Sequence, residues 1–187
     1  MTTDHQKLLL EIARSAIFQT LDKSEQKVPM VGKIPDELNK KRATFVTLTL
    51  KGNLRGCIGM LEACRPLAED VAENARAAAF DDPRFEPLSK EEFEDLEIHI
   101  SVLSPPEEMV FSSEAELLEQ IRPGVDGLIL QEGGRRGAFL PCVWEELPDQ
   151  ELFLMHLKMK AGLPSTYWSD SLRISRYTAE YFPTEWS

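Results

Sequence analysis

Apolar residues recur at Leu9, Ile12, Ala13, Ala16, Ile17 and Leu21, a spacing that predicts an amphipathic helix with one buried stripe. Ahead of it, Thr3-Asp4-His5-Gln6 has the form of a capping box, with Thr accepting from the first-turn amides and Gln reaching back. The stretch from Val28 to Asn39, broken by Pro29, Gly32 and Pro35, predicts an irregular crossing. From Ala43 to Leu50 the period changes to two: Val46, Leu48 and Leu50 alternate with Phe45, Thr47 and Thr49, which predicts a strand. Lys51-Gly52-Asn53 reads as a turn, with Leu54 to Met60 as the returning strand.

Further along, Leu67, Val71, Ala75 and Ala78 form the stripe of a helix from about Pro66 to Phe80. It stops at Asp81-Asp82-Pro83, because the residue before proline avoids the α region. Ser89-Lys90-Glu91-Glu92 is a second capping box opening a short helix. Glu97 to Leu103 is a strand with Ile98, Ile100 and Val102 on one face. Ser113 to Ile121 reads as a capped helix, Gly127 to Gln131 as a strand, Glu132 to Gly137 as a glycine-rich turn and Ala138 to Leu140 as its short return. Asp149 caps a helix carrying Phe153, Leu154, Leu157 and Ala161, ended by Gly162; Leu172 to Tyr181 is expected as one final strand. Tight turns between several strands favour an α+β fold with a mixed, largely antiparallel sheet and packed helices over repeated βαβ units. One compact domain over residues 1–187 is expected, with room for a smaller second lobe.

The register at the turn decides which side chains share a face. A three-residue loop pairs Leu50 with Leu54, Leu48 with Gly56 and Val46 with Ile58, leaving one apolar face and gathering Thr47, Thr49, Arg55 and Cys57 on the other; a one-residue slip would undo that sorting. Asn53 would take the left-handed position of such a loop. Arg55 and Cys57 would then stand about 7 Å apart on one strand, close enough for the guanidinium to favour thiolate. Gly56 and Gly59 leave room for a ligand or another backbone. The same residues also fit a plainer account, in which Cys57 is a small hydrophobe in a sheet and the glycines mark a bulge.

Composition narrows the function classes. With 32 acidic against 21 basic residues and a net charge of −11, the surface repels a phosphate backbone, and Lys40-Lys41-Arg42 and Arg135-Arg136 are too short to reverse that field. Nucleic-acid binding is therefore disfavoured. Cys57, Cys64 and Cys142 are odd in number and far apart, no run approaches the ~18 apolar residues of a membrane span, and no secretory leader is visible; a cytoplasmic protein with free thiols is expected. No phosphate-binding, dinucleotide-binding or nucleophile-elbow motif occurs, His5, His99 and His156 have no metal spacing, and no cofactor or metal is implied. Arg84 could clamp an anion or pair with Asp81, Asp82 or Glu86. His99, beside Glu97 and Ser101 on the polar side of its strand, is the one histidine placed to act as a base, though a structural role also fits it.

Leu54-Arg55-Gly56-Cys57-Ile58-Gly59 resembles the signature hexapeptide of the AMMECR family, whose bacterial and archaeal members are called AmmeMemoRadiSam system protein A. The resemblance continues through Asn74-Ala75, Asp82-Pro83-Arg84-Phe85, Glu97 with Ser101, Asp126-Gly127, Phe139-Leu140-Pro141 and Lys160-Ala161-Gly162-Leu163, nearly the whole chain. Cys142 departs from it, since many members carry Gln there. The resemblance implies an α+β fold with one extended sheet and a smaller lobe, and association with Memo-like and radical-SAM proteins, but no settled reaction. Two functions are carried forward: an accessory domain that binds a small anionic ligand or a protein partner through Arg55, Gly56, Gly59, Thr47, Thr49 and Arg84, and a small enzyme using Cys57 as nucleophile or acid/base with His99 assisting.

Overall fold

The structure is a computed structural model that describes residues 1–22 and 34–184. It confirms an α+β fold, with two antiparallel four-stranded sheets where one sheet was expected. The chain divides into two compact units, Met1–Leu103 with Glu180–Ser187, and Ser104–Ala179.

In the first unit, α1 (Thr3–Leu21) buries the expected stripe of Leu9, Ile12, Ala13, Ala16 and Ile17. Its cap is Thr2 rather than Thr3, with the Thr2 hydroxyl accepting from the His5 N–H; Gln6 does not reach back, because its amide donates to Glu180. The expected crossing from Val28 lies outside the described residues up to Lys33, and its end forms a short 3₁₀ turn at Asp36–Asn39. Strands β1 (Thr44–Leu50) and β2 (Asn53–Gly59) form a hairpin, followed by α2 (Leu67–Phe80), α3 (Lys90–Glu94) and β3 (Leu96–Leu103). The sheet order is β2-β1-β3-β8, where β8 is Ala179–Pro183. Val46, Leu48, Ile98 and Ile100 pack with α1 and α2 on one side, so the alternate positions of these strands face away from that core.

The hairpin differs from the expected one. Leu50 pairs with Asn53 across a two-residue turn whose central residues, Lys51 and Gly52, both have positive φ (51° and 78°). That combination gives the twist a tight hairpin needs, and it moves the left-handed positions off Asn53. The register then shifts between Leu48 and Thr49: Thr49 faces Leu54, Leu48 faces Gly56, and Arg55 is the extra residue of a bulge. From Gly56 onward the pairing is the predicted one, with Thr47 opposite Cys57 and Val46 opposite Ile58.

In the second unit, β4 (Glu107–Glu108), α4 (Glu114–Gln120), β5 (Gly127–Glu132), β6 (Arg135–Phe139), α5 (Gln150–Lys160) and β7 (Arg173–Tyr177) give a sheet of order β4-β7-β5-β6. Its core gathers Leu128, Leu130, Trp144, Phe153, Leu154, Leu157 and Ile174. The single final strand expected from Leu172 to Tyr181 is two strands that part at Thr178, β7 joining one sheet and β8 the other. Periodicity cannot show this change of sheet, because both pieces keep the period of two.

Candidate functional site

Across the first sheet, the positions facing away from α1 and α2 line up. Thr47 is in register with Cys57 on one side and His99 on the other, while Thr49 is in register with Glu97. Cys57 Sγ lies 3.1 Å from Thr47 Oγ1. Thr49 Oγ1 donates to Glu97 Oε2 at 2.8 Å and lies 3.0 Å from His99 Nε2; His99 Nδ1 lies 2.6 Å from the Tyr181 hydroxyl. The Tyr181 and imidazole rings stack at 5.8 Å between centroids. A band of hydrogen-bonding side chains therefore crosses all four strands.

The polarity of part of this band follows from chemistry. A carboxylate only accepts, so Thr49 gives its proton to Glu97 and must accept from His99 Nε2–H. The imidazole then keeps a lone pair on Nδ1, which accepts from the Tyr181 O–H. Burial lowers the pKa of His99 from its ordinary value, against the smaller opposing pull of Glu97, and a neutral ring fits this chain of donors.

Cys57 is partly exposed. Its backbone N–H and C=O point out from the free edge of β2, and the residues just past α2 meet them. Asp82 Oδ2 accepts from the Cys57 N–H at 2.9 Å, and Arg84 donates to the Cys57 carbonyl at 3.4 Å. Asp82 is itself held by the Arg84 guanidinium at 2.7 and 3.0 Å. These bonds from Arg84, outweighing the cost of burial and helped by the Cys57 N–H, hold the Asp82 carboxyl well below the usual carboxylate range. Asp82-Pro83-Arg84 thus caps the strand edge as a neighbouring strand would.

The sequence expectations meet this geometry unevenly. Cys57, Thr47, Thr49 and His99 do share one face. Arg55 is not a free cation beside the thiol: the bulge carries it to the capping box of α3, where Nε and Nη2 bind Glu92 at 2.8 and 3.0 Å and Nη2 also reaches the Glu86 carbonyl. Those bonds raise the Arg55 pKa and lower that of Glu92. Arg84 makes the ion pair with Asp82. Gly56 and Gly59 open no space for a ligand: a Cβ on Gly56 would strike the Ala78 carbonyl, and one on Gly59 would strike the Phe45 ring and the Thr44 carbonyl. Among the described residues no hydrogen bond joins Cys57 to His99, and no group of three His, Cys, Asp or Glu side chains is placed to hold a metal.

Two participants escaped the sequence reading: Glu92 was visible only as a capping residue and Tyr181 only as a strand residue. Asp82 was foreseen as a helix stop and as a partner for Arg84, but not as the acceptor of the Cys57 N–H. For Tyr181 no local signal exists, because its partner His99 is 82 residues away.

The AMMECR1 family model matches residues 10–182. The chain belongs to the AMMECR1 family. Curated relatives of this AMMECR1 member include a protein of Methanothermobacter thermautotrophicus, 41% identical over 97% of this chain and 95% of that one, and a protein of Methanocaldococcus jannaschii, 42% identical over 79% and 76%. Among solved structures, an uncharacterized protein from Pyrococcus horikoshii superposes with a TM-score of 0.86 at 36% identity, covering 100% of this chain and 94% of that one. Among the described residues of the AMMECR1 chain, no helix is long and apolar enough to cross a membrane.

Proposed function

We propose that this AMMECR1-family chain is an accessory binding domain, with the band of Cys57, Thr47, Thr49, His99, Glu97 and Tyr181 as its binding surface for a small polar molecule or a segment of a partner protein. One observation carries the reading: polar side chains from all four strands, hydrogen-bonded as a Cys57–Thr47 pair and a Thr49–Glu97–His99–Tyr181 set, occupy the sheet face turned away from the helical core, and among the described residues no nucleophile–base contact accompanies them. Three hydroxyls, a thiol, an imidazole and a carboxylate on a sheet give fixed hydrogen-bonding positions, the usual means of orienting a ligand. An anionic ligand fits less well than the sequence suggested, since it would have to displace Glu92 from Arg55 or Asp82 from Arg84. The family resemblance makes Memo-like and radical-SAM proteins the first partners to try. The test is calorimetric titration of the full chain with such proteins, repeated with Thr47→Val and Thr49→Val. Binding that weakens in both variants supports the surface, and binding that neither variant changes removes it.

A cysteine-dependent enzyme is the second reading, favoured by the 3.1 Å contact between Cys57 Sγ and Thr47 Oγ1 and by His99 on the far side of Thr47 in the same row. It requires a reactive thiol. In a Cys64→Ser/Cys142→Ser background, alkylation of Cys57 that outpaces free cysteine at neutral pH and slows in His99→Gln would support catalysis. Labelling no faster than free cysteine leaves binding as the function.

A further inference from the structure

We infer that the ligand group taken by this sheet face is a cationic N–H donor, an alkylammonium such as a lysine side chain or a free amine bears. The inference rests on the binding-surface reading and adds a chemical class to it. Its basis is the direction of the hydrogen bonds and the balance of charge on the face.

The outward positions include Phe45, Thr47 and Thr49 on β1, Leu54, Cys57 and Gly59 on β2, Glu97, His99 and Ser101 on β3, and Tyr181 on β8. No lysine or arginine is among them, and the guanidiniums of Arg55 and Arg84 are bound to Glu92 and Asp82. The formal charge of the face is that of Glu97, beside a ring that burial keeps neutral. Within the Tyr181–His99–Thr49–Glu97 chain every proton points inward: Tyr181 to Nδ1, Nε2–H to Thr49, Thr49 to the carboxylate. The chain has therefore used its donors internally, while among the described residues Glu97 Oε1 accepts no hydrogen bond, on a side chain that is 42% exposed. A ligand that supplies donors and positive charge completes this arrangement; one that supplies an oxyanion meets a carboxylate and finds no proton offered by the chain. Tyr181 is 60% exposed as a residue and its ring stacks on the imidazole, so an aromatic side chain of the kind that attracts ammonium groups borders the face. The direct partner on the sequence side is Glu97, which alternation had placed on this face only as a neighbour of His99.

The test is an amide-resolved NMR titration of the full chain at about neutral pH and low salt, where exposed electrostatic contacts are least screened. The probes are n-butylammonium, sodium butyrate, and two short blocked peptides that differ only in lysine against norleucine. Butylammonium and the lysine peptide are expected to shift the amides of Thr47, Thr49, Glu97, His99 and Tyr181, with butyrate and the norleucine peptide silent there. Response to butylammonium alone assigns the site to free amines, and response to the lysine peptide alone assigns it to a protein partner; both keep the proposed class. Glu97→Gln, which preserves shape, should weaken the binding at least about threefold, and wild-type affinity should fall as salt rises. If butyrate shifts the face and the cations do not, the ligand class is overturned while the binding surface stands. If none of the probes shifts it, the class is again overturned, and the partner titrations decide the surface separately.

Discussion

In the β2-β1-β3-β8 sheet, the side away from the helices carries a thiol, hydroxyls, an imidazole and one carboxylate with no cation among them. The β4-β7-β5-β6 unit instead carries several matched charge pairs. Arg173 on β7 pairs with Glu108 on β4 at 2.8 Å, Arg122 holds the fully buried Asp126 at 2.6 Å, and Lys158, 1% exposed, reaches Glu114 at 3.1 Å. Trp144 adds a 2.7 Å hydrogen bond to the Asp126 carbonyl. Matched pairs of this kind hold a structure together and ask nothing of solvent or ligand. The unmatched polarity of the first sheet is what makes it the functional candidate.

The comparison can be broken most sharply at the buried charges. Asp70 in the first unit is fully buried and accepts from the Thr44 N–H and hydroxyl, Arg65 and Asn74. Asp70→Ala leaves the buried Thr44 N–H without its acceptor and takes the carboxylate from Arg65 and Asn74, and should lower unfolding free energy by about 3–5 kcal/mol in denaturant titration. Lys158→Met in the second unit replaces its ion pair with an apolar chain of similar volume and should change stability by no more than about 1 kcal/mol. If the two costs come out equal, the first unit's network is no more demanding than the second's pairs.

Backbone approach gives the next largest contrast. Gly56→Ala drives a methyl into the Ala78 carbonyl of α2, where only helix movement can relieve it, and should cost about 3 kcal/mol. Gly137→Ala meets the Ala161 backbone nitrogen at 2.8 Å, a milder clash at the end of α5, with a cost of about 1 kcal/mol. Thermal melts of the pair rank them directly.

Acid exposes the strand-edge cap. Asp82 has a folded pKa below its unfolded value of about 3.9, so its contribution is fully present above that pH and fades as pH falls through the folded value. Asp82→Asn should therefore be less stable than wild type at neutral pH, and the two should converge as pH falls below about 4. A gap that stays constant down to the lowest pH would show that the carboxylate's charge is not what caps Cys57.

The smallest effect belongs to His99. With its folded pKa lowered from about 6.5, the unfolded chain binds more protons there, so its contribution is present above that pH and is lost as pH falls through the folded value. NMR titration should show the imidazole titrating below about 6.5, and lower again in Glu97→Gln, because Glu97 is the group that raises it.

Much of the secondary structure was legible from period and caps. Ser89 with Glu92, Ser113 and Asp149 begin helices where the capping pattern put them, and Gly162 ends α5 with positive φ. The shared face of Cys57, Thr47 and Thr49 matches the expectation too, because the bulge at Arg55 restores from Gly56 onward the pairing that a three-residue loop would give. Arg55 was misread for a physical reason: a bulge adds one residue without breaking the pattern on either side, and only long-range partners such as Glu92 show where the extra side chain goes. The glycines carried the same ambiguity, since an absent side chain does not say whether backbone, ring or ligand fills the space.

Sequence alone determined what neighbours along the chain can settle: the helices, the strands, the family, and which residues alternate together. Tertiary structure decided which guanidinium meets which carboxylate, that β7 and β8 part into different sheets, and that Tyr181 closes a hydrogen-bond chain begun 82 residues earlier at His99. Periodicity is a property of local backbone geometry. The balance of donors, acceptors and charge on a sheet face is a sum over strands distant in sequence, and it exists only once they are paired.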